Sequence, residues 1–255
     1  MRRAPAAGAC LLALILSGCA APAGLMAAPD GVTATASQSR LDLGTGRLVI
    51  TVVNASDDEL VIERAELLST LWVEPLEQSP PGAVTIGAGR TVDVRVAPGE
   101  LDCAADAPGE HSARLTTAHG VFEIDAPDVY EQLAALHEQG CLAERVGELR
   151  IVDLRDDELV LQVPDGVVVE GVRATTLLTP TGSPSASGDE ATVRMRPSRC
   201  DAHALAEDKA GTRIPVAVRL EDGTAGELVV AADDALRASI QQWVRETCGT
   251  ASGAP

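Results

Sequence analysis

The stretch Val94-Arg95-Val96-Ala97-Pro98 leads to Cys103, and a second stretch of the same kind, Val193-Arg194-Met195-Arg196-Pro197, leads to Cys200. Each stretch alternates apolar with polar side chains, which is typical of a strand that buries one face. After each come two more strand-like runs, one amphipathic helix and a further cysteine. The repetition predicts two modules that share one plan.

The order of the predicted elements indicates the fold class. Strands follow one another without alternating helices, which favours antiparallel sheets over a parallel sheet. One helix is predicted from Pro127, because proline suits a first helical turn, to Gly140, because glycine commonly follows the last turn. Asp233 predicts the start of a second helix, which runs through Thr247. We expect a mainly β protein of two tandem antiparallel sandwich-like (Ig-like) modules, residues 31–142 and 143–255, each ending in one amphipathic helix.

A second repeated stretch supports duplication. Asp57-Asp58-Glu59-Leu60-Val61 recurs as Asp156-Asp157-Glu158-Leu159-Val160, displaced by the same 99 residues that separate Val94 from Val193. A different displacement aligns residues 61–70 with residues 167–176, so the register of the repeat stays open.

The N-terminus has the pattern of an export signal. Arg2 and Arg3 precede a short apolar run at residues 9–16, which ends in Leu16-Ser17-Gly18-Cys19. A charged start, a brief apolar stretch and a small-residue cleavage site describe a secretory signal peptide, here residues 1–18. The run is too short to span a bilayer, which takes about 20 apolar residues.

The Leu16-Ser17-Gly18-Cys19 sequence resembles the lipobox of bacterial lipoproteins. This resemblance implies that the signal is cut before Cys19, that Cys19 carries the lipid, and that the protein is anchored on the extracytoplasmic face of the cell membrane. Residues 19–30, mostly alanine, proline and glycine, would then form a flexible tether. The alternative is an ordinary signal peptide cut near Ala28.

Four cysteines lie beyond the signal region: Cys103, Cys141, Cys200 and Cys248. An even number in an exported protein suggests two disulfides, for which three pairings exist. The repeated order selects Cys103–Cys141 and Cys200–Cys248. Zinc is the alternative ligand, but the sequence has no Cys-x-x-Cys or paired-histidine spacing. We therefore expect neither a metal nor a cofactor.

The overall charge argues against nucleic acid as a partner. The formal net charge is −18, so nucleic acid phosphates would be repelled. Nucleophile elbows, phosphate loops and zinc-protease motifs are missing from the sequence, and we predict no catalytic site. His111, His119 and His137 are predicted to lie on solvated surfaces.

The segment from Cys200 to Lys209 concentrates polar chemistry. His203 with Asp201 and Glu207 suggests a metal or acid–base site, but one imidazole is too few, and a charged crossover loop is the simpler interpretation. The segment resembles part of uncharacterised lipoproteins of high-GC Gram-positive bacteria. As a riskier hypothesis, we assign a partner-contact surface to four of its residues: His203, Glu207, Asp208 and Lys209.

These observations favour a membrane-anchored, non-enzymatic lipoprotein that acts as a binding or assembly component of the cell envelope, with an envelope protein as its partner. The alternatives are an accessory or solute-binding subunit of a membrane complex and, third, a lipid-tethered hydrolase. A pocket between the modules would favour the solute-binding subunit, whereas an exposed sheet edge or apolar patch would favour the binding component.

Overall fold

The computed structural model describes residues 24–39, 41–42, 45–200 and 211–249. The described chain is mainly β, with several antiparallel sheets and two long helices. The predicted fold class of two sandwich-like modules, each followed by a helix, is confirmed. Neither helix in the described residues has the length and apolar character to cross a bilayer.

The described residues of the first module form nine strands. They are β1 (Val32–Ser37), β2 (Leu48–Asn54), β3 (Leu60–Ile62), β4 (Arg64–Ser69), β5 (Leu76–Glu77), β6 (Val84–Ile86), β7 (Arg90–Val96), β8 (His111–Thr117) and β9 (Gly120–Asp125). One sheet has the order β1-β2-β7, the facing sheet has the order β5-β4-β8-β9, and β3 pairs with β6.

The core of the first module lies between its two main sheets. In β7, Val94 and Val96 point inward and the arginine between them points outward, as the alternating sequence predicts. Phe122, Ile50 and Leu115 are among its largest fully buried side chains. Because few aromatics are available, branched aliphatic residues fill the rest of this interior.

The second module follows the same layered plan. Its strands are β10 (Arg150–Arg155), β11 (Glu158–Gln162), β12 (Val167–Val172), β13 (Leu178–Pro180), β14 (Ser185–Ser187), β15 (Glu190–Pro197), β16 (Arg213–Leu220) and β17 (Ala225–Ala231). One sheet has the order β10-β11-β15-β13, with β14 also on β15, and the other has the order β12-β16-β17. A separate buried cluster, which includes Leu161, Val216 and Ile240, lies between them.

The two copies of the Asp-Asp-Glu-Leu-Val sequence do not lie at equivalent places in the two modules. The copy at residues 156–160 forms a tight hairpin between β10 and β11. The copy at residues 57–61 instead links β2 to β3, which pair with different strands. The first copy thus follows β2, the partner of β7, whereas the second leads into β11, the partner of β15, so the equal displacement does not mark equivalent positions.

The first helix differs from the prediction at both ends. Helix α1 is Gln132–Val146, so it begins five residues after Pro127 and continues through Gly140. Asp128 accepts hydrogen bonds from the backbone N–H groups of Gln132 and Leu133, at 3.0 and 2.6 Å, and so caps the helix from the preceding turn. Gly140 lies inside the helix because Leu101 packs there: an added Cβ would lie 2.2 Å from a Leu101 methyl group.

Helix α1 belongs to both cores. Leu133 is buried in the first cluster, whereas Leu142 and Val146 are buried in the second. Gly226 in β17 allows this contact, since a Cβ there would lie 2.6 Å from a Leu142 methyl group. The boundary predicted between residues 142 and 143 therefore falls within a continuous helix.

The second helix agrees with the prediction. Helix α2 is Asp234–Thr247, and the Asp233 side chain accepts the Leu236 N–H at 2.8 Å as an N-cap. Leu236, Ile240 and Val244 form its buried stripe.

Two disulfides close the modules. Cys103 is joined to Cys141, with 5.5 Å between Cα atoms, and Cys200 to Cys248, with 5.2 Å. This is the pairing that the repeated order selected. Cys141 lies in the interior of α1, because the helix does not end at Gly140.

The segment before β1 contacts the first module. The Met26 N–H donates to the carbonyl of Val121 in β9 at 2.8 Å, and Ala28 packs against the first core. Residues from Met26 onward were predicted to be the end of a flexible tether. They lie against the folded module instead.

Candidate functional site

A groove of about 1040 Å³, open to solvent, lies on the first module. Its floor is the outer face of the β4-β8-β9 sheet near one end, where Leu68, Ser112 and Glu123 lie on neighbouring strands. Residues 69–75 border the groove, as do residues 108–111 and the turn before α1. Three separate parts of the chain therefore build one site, which we call the acidic groove.

Arginines neutralise the glutamates on the adjoining sheet face. Arg64 pairs with Glu66 and Glu77 at 3.0 and 2.6 Å. Arg114 lies 3.4 Å from Glu123, and the Ser112 hydroxyl donates to the same carboxylate at 2.7 Å. The charges on this face are therefore largely satisfied within the protein.

Four carboxylates of the groove have no such partner. Glu74, Glu110, Asp125 and Glu131 all line it and are exposed, and none makes a side-chain ion pair or hydrogen bond within the described residues. Asp128 also lines the groove, but its oxygens are used in capping α1. The groove is thus negatively charged, and its charge is not compensated by described side chains.

Apolar side chains surround these carboxylates. Val73 lines the groove and is 52% exposed. Val129 and Tyr130 do not line it, but they lie in the turn between its lining residues Asp128 and Glu131 and are 61% and 75% exposed. Trp72 contributes a largely buried ring to the lining. Tyr130 is the only tyrosine in the sequence, so its exposure is notable in a chain with so few aromatics. Exposed apolar residues next to a groove mark interaction surfaces.

One serine–histidine contact in the groove tests the hydrolase alternative. The Ser69 hydroxyl lies 2.9 Å from Nδ1 of His111, but it also accepts the N–H of Leu71 at 3.1 Å. Nε2 of His111 is buried and makes no hydrogen bond within the described residues. In a Ser-His-Asp triad the second ring nitrogen donates to a carboxylate, and this nitrogen has no such partner among the described residues. The contact joins paired residues of β4 and β8, and the Ser69 hydroxyl also holds the start of the following loop.

The surroundings of His111 also set its charge. Burial lowers the pKa of the imidazole, and the nearby charge of Asp128 and the backbone of Pro108 oppose this effect only in part. A neutral ring at the edge of the groove leaves the carboxylates uncompensated near neutral pH.

The two other histidines that were predicted to lie on the surface differ in their exposure. His119 is exposed in the β8–β9 turn, as predicted. His137 is only 4% exposed, so its predicted solvation is wrong: its Nε2–H donates to the Asp102 carbonyl at 2.8 Å beside the Cys103–Cys141 disulfide. Among the described residues, no three His, Cys, Asp or Glu side chains converge on a metal-binding point.

Five residues singled out from the sequence lie outside the described residues. They are the predicted lipidation residue, Cys19, and the four predicted partner contacts, His203, Glu207, Asp208 and Lys209. The acidic groove was missed because its members are dispersed along the sequence. The one available signal was Tyr130, an isolated aromatic residue between a helix-capping aspartate and an acidic residue.

Smaller cavities also lie on the described surface. A cleft of about 410 Å³ lies between α1 and strands β10 and β17, and Arg150 and Arg213 line it together with apolar residues. A more enclosed cavity of about 630 Å³ lies under the N-terminal segment, between Met26 and Val61.

Comparison with known proteins gives no family. No family model and no curated protein matches the sequence. Among solved structures, the E. coli chaperone DraB is 10% identical over 74% of this chain and 92% of its own, with a TM-score of 0.21. The Pseudomonas aeruginosa CupB2 chaperone is 13% identical over 74% and 94%, with a TM-score of 0.20.

A third structure, the Salmonella enterica SafA pilin in complex with the SafB chaperone, is 11% identical over 74% of this chain and 90% of the other, with a TM-score of 0.20. Overall similarity at this level says nothing about function. The function is therefore inferred from the groove.

Proposed function

We propose that the protein is a lipid-anchored, extracytoplasmic binding or assembly component of the cell envelope, without catalytic activity of its own. The anchor rests on the Leu16-Ser17-Gly18-Cys19 sequence and its resemblance to a lipobox. The two disulfides are consistent with an oxidising compartment outside the cytoplasm. We place the mature protein on the extracytoplasmic face of the cell membrane.

The acidic groove is the observation that carries the binding role. It combines uncompensated carboxylates with exposed apolar side chains, and its one serine–histidine contact is used to hold a loop. Surfaces of this kind bind other molecules by charge and apolar contact. We therefore move the proposed partner contact to the groove, while the hypothesis for His203, Glu207, Asp208 and Lys209 stays untested.

Affinity capture tests this proposal. The full-length, tagged protein is expressed in its native membrane, extracted with detergent and compared with a groove variant that carries Glu74→Gln, Glu110→Gln, Asp125→Asn and Glu131→Gln. A control variant changes the charge equally at exposed acids elsewhere: Asp57→Asn, Glu63→Gln, Asp165→Asn and Glu221→Gln.

We expect the wild type and the control variant to capture the same partner, and the groove variant to lose it while keeping its melting temperature. Equal capture by all three proteins would show that the groove is not the binding surface. Absence of any specific partner of the wild type would contradict the binding role itself.

A solute-binding subunit is the second candidate, and the cleft beside α1 supports it. The cleft joins residues on either side of the predicted module boundary, and the charged residues that line it within the described chain are Arg150, which pairs with Glu148, and Arg213. A small anion that raises the melting temperature of the wild type but not of Val229→Glu would favour this alternative.

A further inference from the structure

We infer that the acidic groove binds an extended segment of a partner protein that carries lysine or arginine side chains interspersed with apolar ones. This inference rests on the proposed function, since it names the chemistry of the partner for the same groove. It follows from the charge, the apolar border and the size of the groove.

The charge argument depends on a contrast between the sheet face and the groove beside it. Arg64 and Arg114 satisfy the glutamates beside the groove, whereas the four carboxylates in it receive no cation from the described chain. Like charges held near one another repel and raise the free energy of the empty groove. A ligand that brings positive charge relieves this repulsion, and a phosphate-bearing ligand would increase it.

The spacing of the carboxylates excludes a single metal ion as the source of that charge. A bound Ca²⁺ or Mg²⁺ needs several oxygens around one point. No such convergence of three ligands occurs among the described residues. The cationic groups must therefore be distributed along the ligand, as they are in a basic peptide.

The apolar border excludes a purely polar cation. Val73 exposes its side chain in the groove, and Val129 and Tyr130 expose theirs from the turn that supplies Asp128 and Glu131 to it. A ligand that fills the groove and extends over this turn would bury all three against its own apolar groups. The exposed ring of Tyr130 can also accept a lysine or arginine head group on its face. The volume of about 1040 Å³ is at the upper end of small-molecule sites, which are about 300–1,000 Å³, and suits several peptide residues.

The direct test uses labelled synthetic peptides of about ten residues and fluorescence anisotropy with the full folded chain. One peptide alternates lysine with valine, a second alternates glutamate with valine, and a third alternates lysine with serine. Spermine serves as a small polycation. The proteins are the wild type, the groove variant and the equally charged control variant defined above.

We expect the lysine–valine peptide to bind the wild type and the control variant equally, and the groove variant at least about tenfold more weakly. The binding should weaken with added salt, because the contacts at the groove border are solvent-exposed. The lysine–serine peptide should bind more weakly than the lysine–valine peptide, and the glutamate–valine peptide should not bind.

A charge-reversed protein provides a second measurement that does not depend on loss of binding. Glu74→Lys with Glu131→Lys should prefer the glutamate–valine peptide to the lysine–valine peptide. Retention of the original preference in this variant would overturn the inference.

Four other results would also overturn it. Equal weakening in the control variant would indicate attraction to the net charge alone. Equal affinity for the lysine–serine peptide, or full competition by spermine, would indicate a small polar cation. If the lysine–valine peptide fails to bind while the groove variant still loses its partner in membrane capture, the groove binds a partner of other chemistry, so this inference fails and the proposed function stands.

Discussion

At the scale of single residues, two glycines determine how closely helix α1 approaches its neighbours. Leu101 packs against the helix at Gly140, and Leu142 of the helix packs against β17 at Gly226. In both places a Cβ would lie less than 3 Å from a leucine methyl group. The two contacts bring α1 against both modules. Glycine is therefore needed at residues 140 and 226 for packing, although the neighbouring sequence of neither residue indicates this.

Replacing Gly140 with alanine should have opposite effects in two backgrounds. Alanine in a helix interior is favoured over glycine by about 1 kcal/mol, but here the new Cβ displaces Leu101. We expect Gly140→Ala to leave the wild-type free energy of unfolding unchanged or lower, and to raise it by about 1 kcal/mol in a Leu101→Ala background. Urea unfolding of the four proteins of this cycle measures the coupling; equal effects in both backgrounds would contradict the packing argument.

At the scale of elements, α1 is the connection between the modules. It contributes Leu133 to one buried cluster and Leu142 and Val146 to the other, and the disulfide at Cys141 fixes its middle to residue 103. Disturbing this helix should therefore affect both modules, whereas α2 packs only in the second.

Removing the two disulfides separately tests this difference. The ring closed by Cys103–Cys141 spans 38 residues, and removal of such a bond typically lowers the free energy of unfolding by about 2–4 kcal/mol. Trp72 lies in the first core and Trp243 packs against the second, so single-tryptophan variants report each module.

We expect Cys103→Ala with Cys141→Ala to lower the stability seen by both tryptophans. The matched change, Cys200→Ala with Cys248→Ala, should act on Trp243 first. If the first pair affects only the signal of Trp72, α1 does not couple the modules.

The strands and most of the fold were predictable from the sequence because the signal is local. Alternation such as that of β7 identifies which face is buried, and Asp233 marks the start of α2. The end of α1 was not predictable from its own sequence, because Gly140 there accommodates Leu101, a contact made 39 residues away in the chain. For His137 a local signal was present: it lies four residues before Cys141, on the same side of α1 as the disulfide.

The candidate site was less predictable than the fold. Glu74, Glu110, Asp125 and Glu131 come from loops and a strand end that are distant in sequence, and each one alone resembles an ordinary solvated acid. Only the pairing of β4 with β8 and of β8 with β9 brings them to one groove. Charge patterns within a short window therefore could not identify them.

At the scale of the whole molecule, the proposed lipid determines where the groove operates. The contact of Met26 with β9 leaves residues 19–25 between the proposed lipid and the first module. Seven residues reach at most about 25 Å when fully extended. The first module would then stay close to the membrane surface, where a membrane-bound partner is within reach.

Cys19→Ala tests the anchor. We expect this variant to appear in the soluble fraction or to keep its uncleaved signal, because a lipid cannot be attached without the thiol. Membrane fractionation and the intact mass of the mature protein measure the outcome, with Cys10→Ala as the control. Unchanged membrane association with an unchanged mature mass would show that the lipoprotein proposal is wrong.

The contact between Met26 and β9 has a mechanical consequence. The same strand carries Asp125 of the groove and, two residues before it, Glu123. A pull from a bound partner would therefore pass along β9 to the N-terminal segment and on to the proposed lipid. Because Glu131 lies at the start of α1, part of the pull would also enter this helix, and both modules would share the load.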